Sequence, residues 1–239
     1  MLGLPVVLRL AAHLASGIAV CVYLGYPDWN LVMMFVTAIA IAWMTNLYNF
    51  MDGSDGLAGG IAIFGFSFYG IAALLAGNVE FALLNFSIAA AAAGFLVFNF
   101  HPARIFMGDV GSVPLGFLAG TLGIMGWKQG NWAWWFPILV FSPFIVDASV
   151  TLARRLLRRE RVWQAHREHY YQRLVQLGWG HRKTALAEYA LMAVCGLCAL
   201  AALFAPAAVQ VILIVSFAVV YLAIALAIDA AWRRFISPR

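Results

Sequence analysis

The chain has 239 residues, of which 64% are hydrophobic, 15% aromatic and only 10% charged, with a net charge of +5. A soluble domain of this length could not bury so much apolar surface, so the composition excludes a soluble protein and indicates an integral membrane protein. The apolar stretches are continuous rather than alternating, which favours membrane-spanning helices over the strands of a barrel.

Eight apolar segments of 15 to 22 residues follow one another along the chain, and a helix that crosses a bilayer needs about 20. We expect spans near residues 6–25, 31–45, 57–76, 81–98, 112–127, 133–153, 185–204 and 207–228. The sequence therefore predicts an all-α fold: a polytopic membrane helical bundle of about eight transmembrane helices, with residues 1–239 forming one integral-membrane domain.

The connections between these segments alternate between nearly uncharged and charged stretches. The charged stretches are 46–56, 99–111 and 154–184; together with the two termini they hold 14 of the 15 lysines and arginines, Lys128 being the exception. Because cytoplasmic loops carry the excess of positive charge, we expect both termini and these three stretches to be cytoplasmic.

The first charged stretch, Asn46 to Gly56, holds two asparagines and two aspartates between two apolar spans. Carboxylates beside a bilayer are costly unless they face water, a cation or a partner. Glycines after both aspartates let the backbone approach a ligand closely. A polar turn that only reverses the chain is the simpler explanation, although it needs fewer polar residues.

The second charged stretch places Asp109 between Gly108 and Gly111, where the next helix is expected to begin. Unpaired backbone N–H groups and the helix dipole make such a position favourable for a phosphate group. The alternative is that Asp109 or Ser112 merely caps the helix.

The third charged stretch is strongly basic and contains His166, His169 and Arg173. Their spacing would put all three on one face of a helix. Histidines so placed could bind a metal, transfer protons or contact phosphate. The arginines before them, residues 154–161, suit contact with anionic lipid or with a ligand phosphate equally well.

Carboxylates and asparagines beside arginines and histidines indicate a magnesium–phosphate site. Mg²⁺ binds one or two carboxylates together with substrate phosphates and water. Phosphoryl transfer requires mainly positioning and charge neutralisation from such a site. At headgroup depth, one substrate can be a soluble nucleotide and the other a lipid phosphate.

At these residues the chain resembles the polyprenyl-phosphate N-acetylhexosamine-1-phosphate transferases, a superfamily that includes phospho-MurNAc-pentapeptide transferase. Asn46 to Ala58 is similar to the family's N-x-x-N-x-x-D-G-x-D-G-L-A, and Asn99 to Ser112 to its N-x-x-P-A-x-x-F-x-G-D-x-G-S. His166 to Arg173 stands where the family has a histidine-rich loop, and is more similar to the O-antigen type than to the peptidoglycan enzyme.

The resemblance implies a role for each matching residue. Asp109 and Asp52 would hold Mg²⁺, and the catalytic residues would be Asp52, Asn49, His166 and His169. Nucleotide binding would involve Asp55, Phe106, Asn46, Asn99 and Arg173. Asp147 also fits a family position, without an assigned role; a helix hydrogen bond to Thr151 is its simpler explanation.

The resemblance further implies the reaction and its setting. A sugar-1-phosphate would pass from a UDP-N-acetylhexosamine to undecaprenyl phosphate at the cytoplasmic face of the bacterial inner membrane, with release of UMP, as the first step of a cell-envelope polysaccharide. Lipids and a second copy of the chain, packed through exposed glycines, are the other expected partners; nucleic acid is not expected.

Two other functions stay open. The family normally carries further spans and an aspartate-rich motif upstream, and Leu4-Pro5-x-x-x-Arg9-Leu10 resembles the segment after that motif. A truncated, inactive homologue that still binds nucleotide is therefore one alternative. A transporter is the other, although transporters place charged groups near the bilayer midplane.

Overall fold

The computed structural model describes residues 5–25, 28–161, 164 and 166–237, so Leu4 lies outside the described residues. Every regular element within these residues is helical, as the sequence predicts. The helices are α1 (Val6–Gly25), α2 (Leu31–Met51), α3 (Leu57–Leu75), α4 (Val79–Asn99), α5 (Gly108–Lys128), α6 (Trp135–Val140), α7 (Ser142–Leu157), α8 (Tyr170–Leu174), a π-helical turn (Val175–Trp179), α9 (Gly180–Ala202) and α10 (Ala207–Ile236).

Seven helices of the described residues are long and apolar enough to cross a membrane, which confirms a polytopic helical bundle. The sixth predicted segment, 133–153, is instead broken into α6 and α7. The cause is Pro143, which has no N–H to donate to the carbonyl of Leu139. The hydroxyl of Ser142 donates to that carbonyl instead, at 2.6 Å. The break therefore leaves no unsatisfied acceptor at Leu139.

The start of α1 and the end of α10 lie at the same end of the bundle as the three charged connections. Arg9 in α1 pairs with Asp109 at the start of α5, 3.7 Å apart. Asp229 in α10 pairs with Arg154 at the end of α7, 2.6 Å apart. An even number of crossings, with α6 and α7 counted as one, produces this arrangement. That this end faces the cytoplasm stays a prediction from the charge distribution.

Glycines allow close helix packing within the chain, as membrane bundles require. A side chain at Gly116 of α5 would stand 2.8 Å from the carbonyl oxygen of Met44 in α2. A side chain at Gly60 of α3 would collide with the ring of Tyr189 in α9. Because these glycine faces are occupied by neighbouring helices, they lend no support to the predicted homodimer.

The last helix, α10, is attached to the bundle by a few residues spread along its length, including Tyr221 near the middle, whose hydroxyl hydrogen-bonds to Ser142 Oγ at 2.6 Å. Its buried residues are Phe217, Tyr221 and Ile228, out of 30. Near one end Trp135 Nε1 donates to Gln210 Oε1 at 3.0 Å, and near the other Arg173 donates to Asp229 at 2.8 Å. A cavity of about 460 Å³ lies between the second half of α10, from Tyr221 to Ala231, and helices α7 and α9.

Candidate functional site at the charged end of the bundle

The end of α2 is joined to the start of α5 by two hydrogen bonds. Ser112 Oγ donates to Asn49 Oδ1 at 2.6 Å, and the backbone N–H of Gly108 donates to Asp52 Oδ2 at 3.0 Å. Gly108 has a φ of 59°, a left-handed conformation that glycine adopts without strain. These bonds fix Asn49 and Asp52, both predicted from the first motif, at the mouth of the bundle.

Asp109 lies in the first turn of α5 with its side chain 67% exposed. No side chain caps this helix, so helix capping does not explain Asp109. Its described partner is Arg9, at a distance of 3.7 Å. A carboxylate this exposed adds little to stability through one long ion pair. It is therefore available to a ligand.

The negative charge of Asp109 acts on the nearby carboxyl group of Asp52. Burial raises the pKa of Asp52 to about 6; the hydrogen bond from Gly108 opposes this rise, and the negative charge of Asp109 adds to it. Asp52 is thus a carboxylate whose negative charge the protein itself does not neutralise. A bound cation between the two groups would favour the ionised form.

Asp55 and Asn99 connect the first motif to the second. Asp55 Oδ2 accepts from His101 Nδ1 at 2.7 Å and from the backbone N–H of Ala103 at 3.2 Å. Asn99 is buried; it accepts from the N–H of Gly56 at 3.0 Å and donates to the carbonyl of Ile105 at 2.9 Å. Since the oxygen and the nitrogen of the Asn99 amide both bond to the backbone, Asn99 holds together the two loops that form the predicted nucleotide site.

Two other residues predicted for nucleotide binding occupy different surroundings. Phe106 is 77% exposed, which leaves its ring free to stack against a planar group. Asn46 donates to the carbonyl of Ala42 at 2.7 Å, one turn earlier in α2, and lines a cavity beside Asn49. The structure thus places Phe106 at the surface of this end and Asn46 deeper within it.

Asp147 holds the segment from His166 to Arg173 in place. From the sequence, a hydrogen bond to Thr151 was the simpler explanation for this aspartate. That bond is present at 3.2 Å. Asp147 also accepts from His169 Nδ1 at 3.1 Å and from the backbone N–H groups of Tyr170 and Tyr171 at 2.9 and 3.0 Å. Asp147 therefore caps α8 and orients His169. With Nδ1 donating to the carboxylate, Nε2 of a neutral His169 ring is left as an acceptor.

His166 and His169 are neighbours, but the prediction that they share a helix face is wrong. Helix α8 begins only at Tyr170, and both histidines precede it. Their ring centroids are nonetheless 4.8 Å apart. Burial, together with the adjacent His169 and Arg155, lowers the pKa of His166 to about 4. His166 is therefore neutral at pH 7.

Arg173 and several of the basic residues are engaged within the protein. Arg173 bonds to Asp229 at 2.8 Å and packs over the ring of Trp232. Arg155 is buried and bonds to Glu160 at 2.8 Å, while Arg158 pairs with Glu160 and Glu168. These pairs hold the basic loop against α10 and α7, and they support a structural role for these arginines over phosphate binding.

A cavity of about 660 Å³ runs along the bundle between α1, α2, α5 and α7. Its polar end is lined by Arg9, Asn49 and Asp109, and its walls by apolar side chains such as Leu10, Val113, Leu152 and Leu156. A groove that is apolar along its length and charged at its end suits a lipid with a phosphate headgroup.

His101, His181 and Arg9 were not predicted as site residues, although all three lie in parts of the chain that were predicted to be cytoplasmic. His101 lies inside the second motif and His181 at the end of the basic stretch, so both were visible as histidines in charged connections. Their partners are 46 and 127 residues away along the chain, and no local spacing reveals contacts of that separation.

Mg²⁺ requires hard oxygen ligands, and this end of the bundle supplies a small set of them. No group of three or more His, Cys, Asp or Glu side chains among the described residues is arranged to hold a metal ion. Asp52 and Asp109 nevertheless offer hard oxygen ligands at one place, and Mg²⁺ is commonly bound by one or two carboxylates plus substrate phosphates and water. The residues therefore fit a magnesium site that a phosphate substrate completes.

Taken together, the fold and the site define a polytopic helical membrane protein with a carboxylate- and histidine-containing site at one end of its bundle. Residues 1–127 match the family model described as Glycosyl transferase family 4, and the chain belongs to this family.

Curated relatives agree with the family match. The chain is 33% identical, over 70% of its length and 46% of the relative, to a probable undecaprenyl-phosphate N-acetylglucosaminyl 1-phosphate transferase of Bacillus subtilis. It is 40% identical, over 47% of its length and 39% of the relative, to the phospho-N-acetylmuramoyl-pentapeptide-transferase of Moorella thermoacetica. It is 32% identical, over 74% of its length and 54% of the relative, to the phospho-N-acetylmuramoyl-pentapeptide-transferase of Symbiobacterium thermophilum. The chain thus spans about half the length of these relatives.

Proposed function

We propose that this protein transfers N-acetylhexosamine 1-phosphate from a UDP-sugar to undecaprenyl phosphate at the cytoplasmic face of the membrane, releasing UMP and starting a cell-envelope polysaccharide. The observation that carries the proposal is that Asp109, which lies close enough to Asp52 to raise its pKa, stands at the polar end of an apolar cavity. The apolar wall of that cavity suits a polyprenyl chain. The carboxylates at its polar end would bind a cation, and the cation would bind the phosphate of the lipid.

The reaction exchanges one phosphoanhydride bond for another. An oxygen of the lipid phosphate attacks the phosphorus that carries the sugar, the bond from that phosphorus to UMP breaks, and UMP leaves with the electron pair. Little covalent chemistry is required of the protein, so positioning and charge neutralisation supply most of the catalysis.

The residues of the site divide these tasks. Asp52 and Asp109 would hold Mg²⁺, which when bound neutralises charge on the reacting phosphates. Asn49, fixed by Ser112, supports the Asp52 end, and Arg9 at the rim of the cavity offers a positive charge to the lipid phosphate. His169, oriented by Asp147, offers Nε2 as an acceptor for a proton of the phosphate.

An assay with membranes from expressing cells tests the proposal. With radiolabelled UDP-N-acetylglucosamine, undecaprenyl phosphate and Mg²⁺, we expect a lipid-linked labelled product and one UMP released for each molecule of product. If UDP-N-acetylglucosamine, UDP-N-acetylgalactosamine and UDP-MurNAc-pentapeptide all yield no such product, the proposal is wrong. Nucleotide binding without product would then favour the inactive homologue.

The raised pKa of Asp52 predicts a link between pH and metal binding. Since this pKa is about 6 without a cation, Mg²⁺ must displace a proton from Asp52 at lower pH. Transfer at low Mg²⁺ should therefore fall as the pH is lowered through 6. A tenfold increase in Mg²⁺ should move this fall to a pH lower by about one unit. Rates measured from pH 4.5 to 8 at several Mg²⁺ concentrations check the result; an acid limb that stays fixed contradicts it.

A further inference from the structure

The cavity between α7, α9 and the second half of α10 has no part in the proposed reaction. Its volume of about 460 Å³ is within the usual range for small-molecule sites. Its walls come from α7, α8, the π-helical turn, α9 and α10, and most of the side chains that line it are apolar, among them Val146, Leu174, Leu191, Ile224 and Ile228. A space enclosed by this many elements of one chain suits a small molecule better than a helix of a partner protein.

Glu188 is a carboxylate in the wall of this cavity, and it has no partner among the described residues. It is partly buried, and it takes part in no hydrogen bond or ion pair within the part of the chain that the structure describes. Other carboxylates of this region are engaged: Asp147, in the same wall, accepts four hydrogen bonds, and Asp229 pairs with Arg154 and Arg173. Because carboxylates inside membrane spans are costly and are usually paired, an unpaired one indicates a functional site.

The charge of the cavity selects a positively charged ligand. Asp147 and Glu188 line the cavity, whereas no lysine, arginine or histidine of the described residues does. A ligand that complements these walls is therefore positively charged at one place, to pair with Glu188, and apolar elsewhere.

The depth of Glu188 selects among such ligands. Glu188 lies about two turns after the start of α9 at Gly180, and the exposed Arg182 and Lys183 near that start mark the level of the lipid headgroups. A phospholipid could bring its headgroup amine to Glu188 only by taking its phosphate below that level. A free hydrophobic amine has no phosphate and avoids this cost.

We propose that this cavity is a second binding site, which takes a hydrophobic amine: the ammonium group of the ligand pairs with Glu188, and its apolar body packs between α7, α9 and α10. The site shares no lining residue with the cavity that contains Arg9 and Asp109, so the two sites can be occupied separately.

Binding in this cavity would act on the proposed reaction through Asp147. The carboxylate of Asp147 lines the cavity and also holds His169. An ammonium group nearby competes with His169 for this carboxylate, so a bound amine should slow sugar-phosphate transfer. This consequence rests on the proposed function, whereas the binding site itself does not.

Two probes with the same chain test the site. Dodecylamine is positively charged at pH 7 and dodecanol is neutral. With the wild-type protein in phosphatidylcholine nanodiscs, each probe competes against a radiolabelled, photoreactive dodecylamine. The amine should compete at a concentration at least about tenfold lower than the alcohol, since it alone forms an ion pair with Glu188. The photoreactive amine should label peptides of α7, α9 or α10.

E188Q removes the charge of Glu188 and keeps its size. In this variant the preference for the amine over the alcohol should disappear, while dodecanol binds as it does to the wild type. Transfer by E188Q without added amine should equal that of the wild type, and inhibition by dodecylamine should require at least about tenfold more of it. E80Q, at the opposite end of the bundle, is the matched control and should behave as the wild type in each measurement.

The outcomes separate this inference from the proposed function. Equal competition by the amine and the alcohol, a preference that survives in E188Q, or labelling confined to other helices would overturn the site. Nanodiscs that contain phosphatidylethanolamine should leave labelling unchanged; a loss of labelling there would overturn the free amine as the ligand in favour of a lipid headgroup. If the wild-type protein makes no lipid-linked product, the proposed function fails, and the competition between the two probes still decides this inference.

Discussion

Replacing Asp109 with asparagine should lower the rate of sugar-phosphate transfer by about a thousandfold, the upper range for loss of one charge-stabilising group in an active site. The carboxylate is exposed at the first turn of α5, and its described partner is Arg9, 3.7 Å away. The fold has little need of this charge. A variant without it should therefore accumulate normally in membranes while losing the ability to neutralise substrate phosphates.

The chain offers a closely matched control in Asp28. Its side chain is 71% exposed and lies 3.8 Å from Lys128, so it has the same kind of long ion pair as Asp109 but at the opposite end of the bundle. D28N should retain full activity. Transfer rates per amount of membrane protein, determined by immunoblot, provide the comparison. Equal activity of D109N and D28N would contradict the assignment of Asp109.

Replacing Asp147 with alanine should both destabilise the protein and abolish activity. The substitution removes the acceptor for two backbone N–H groups, for His169 and for Thr151, all within 3.2 Å. Removing one member of a buried, hydrogen-bonded pair costs about 3–5 kcal/mol. Since the same change frees His169 from its fixed orientation, we expect transfer to fall by at least about a hundredfold, the usual lower bound for losing a positioned proton-transfer group.

Hydrogen exchange can locate this effect. In D147A the amides of Tyr170 and Tyr171 should lose protection, while amides in α2 and α5 should keep it. T151V removes only one of the four donors to Asp147, and a single lost hydrogen bond costs about 1 kcal/mol. T151V should therefore keep most of its activity. Protection of Tyr170 and Tyr171 that survives in D147A would show that another group caps α8.

The helices and their order were predictable because each span is a continuous apolar run, which is a local property of sequence. The break between α6 and α7 was missed, although Pro143 was visible. In an apolar run a proline can kink a helix or end it, and the outcome here depends on Ser142 taking over the carbonyl of Leu139. That contact is a matter of three-dimensional geometry.

The site was predictable to the extent that its residues lie in motifs. Asn49, Asp52 and Asp109 are brought together as expected, because the three charged connections share one end of the bundle. The partners of these residues were not foreseen. His169 meets Asp147 across 22 positions and Arg173 meets Asp229 across 56, and only the packing of α7, α8 and α10 determines which groups meet.

The way α10 is attached has a consequence for how the sequence can drift. Near its ends, Gln210 and Asp229 make polar bonds, and near the middle the buried hydroxyl of Tyr221 bonds to Ser142. Most side chains between these three anchors are exposed, and any apolar residue satisfies the same condition at those positions. Homologous chains can therefore diverge at the exposed positions of this helix, while an exchange of an anchor calls for a compensating exchange of Trp135, Ser142 or Arg173.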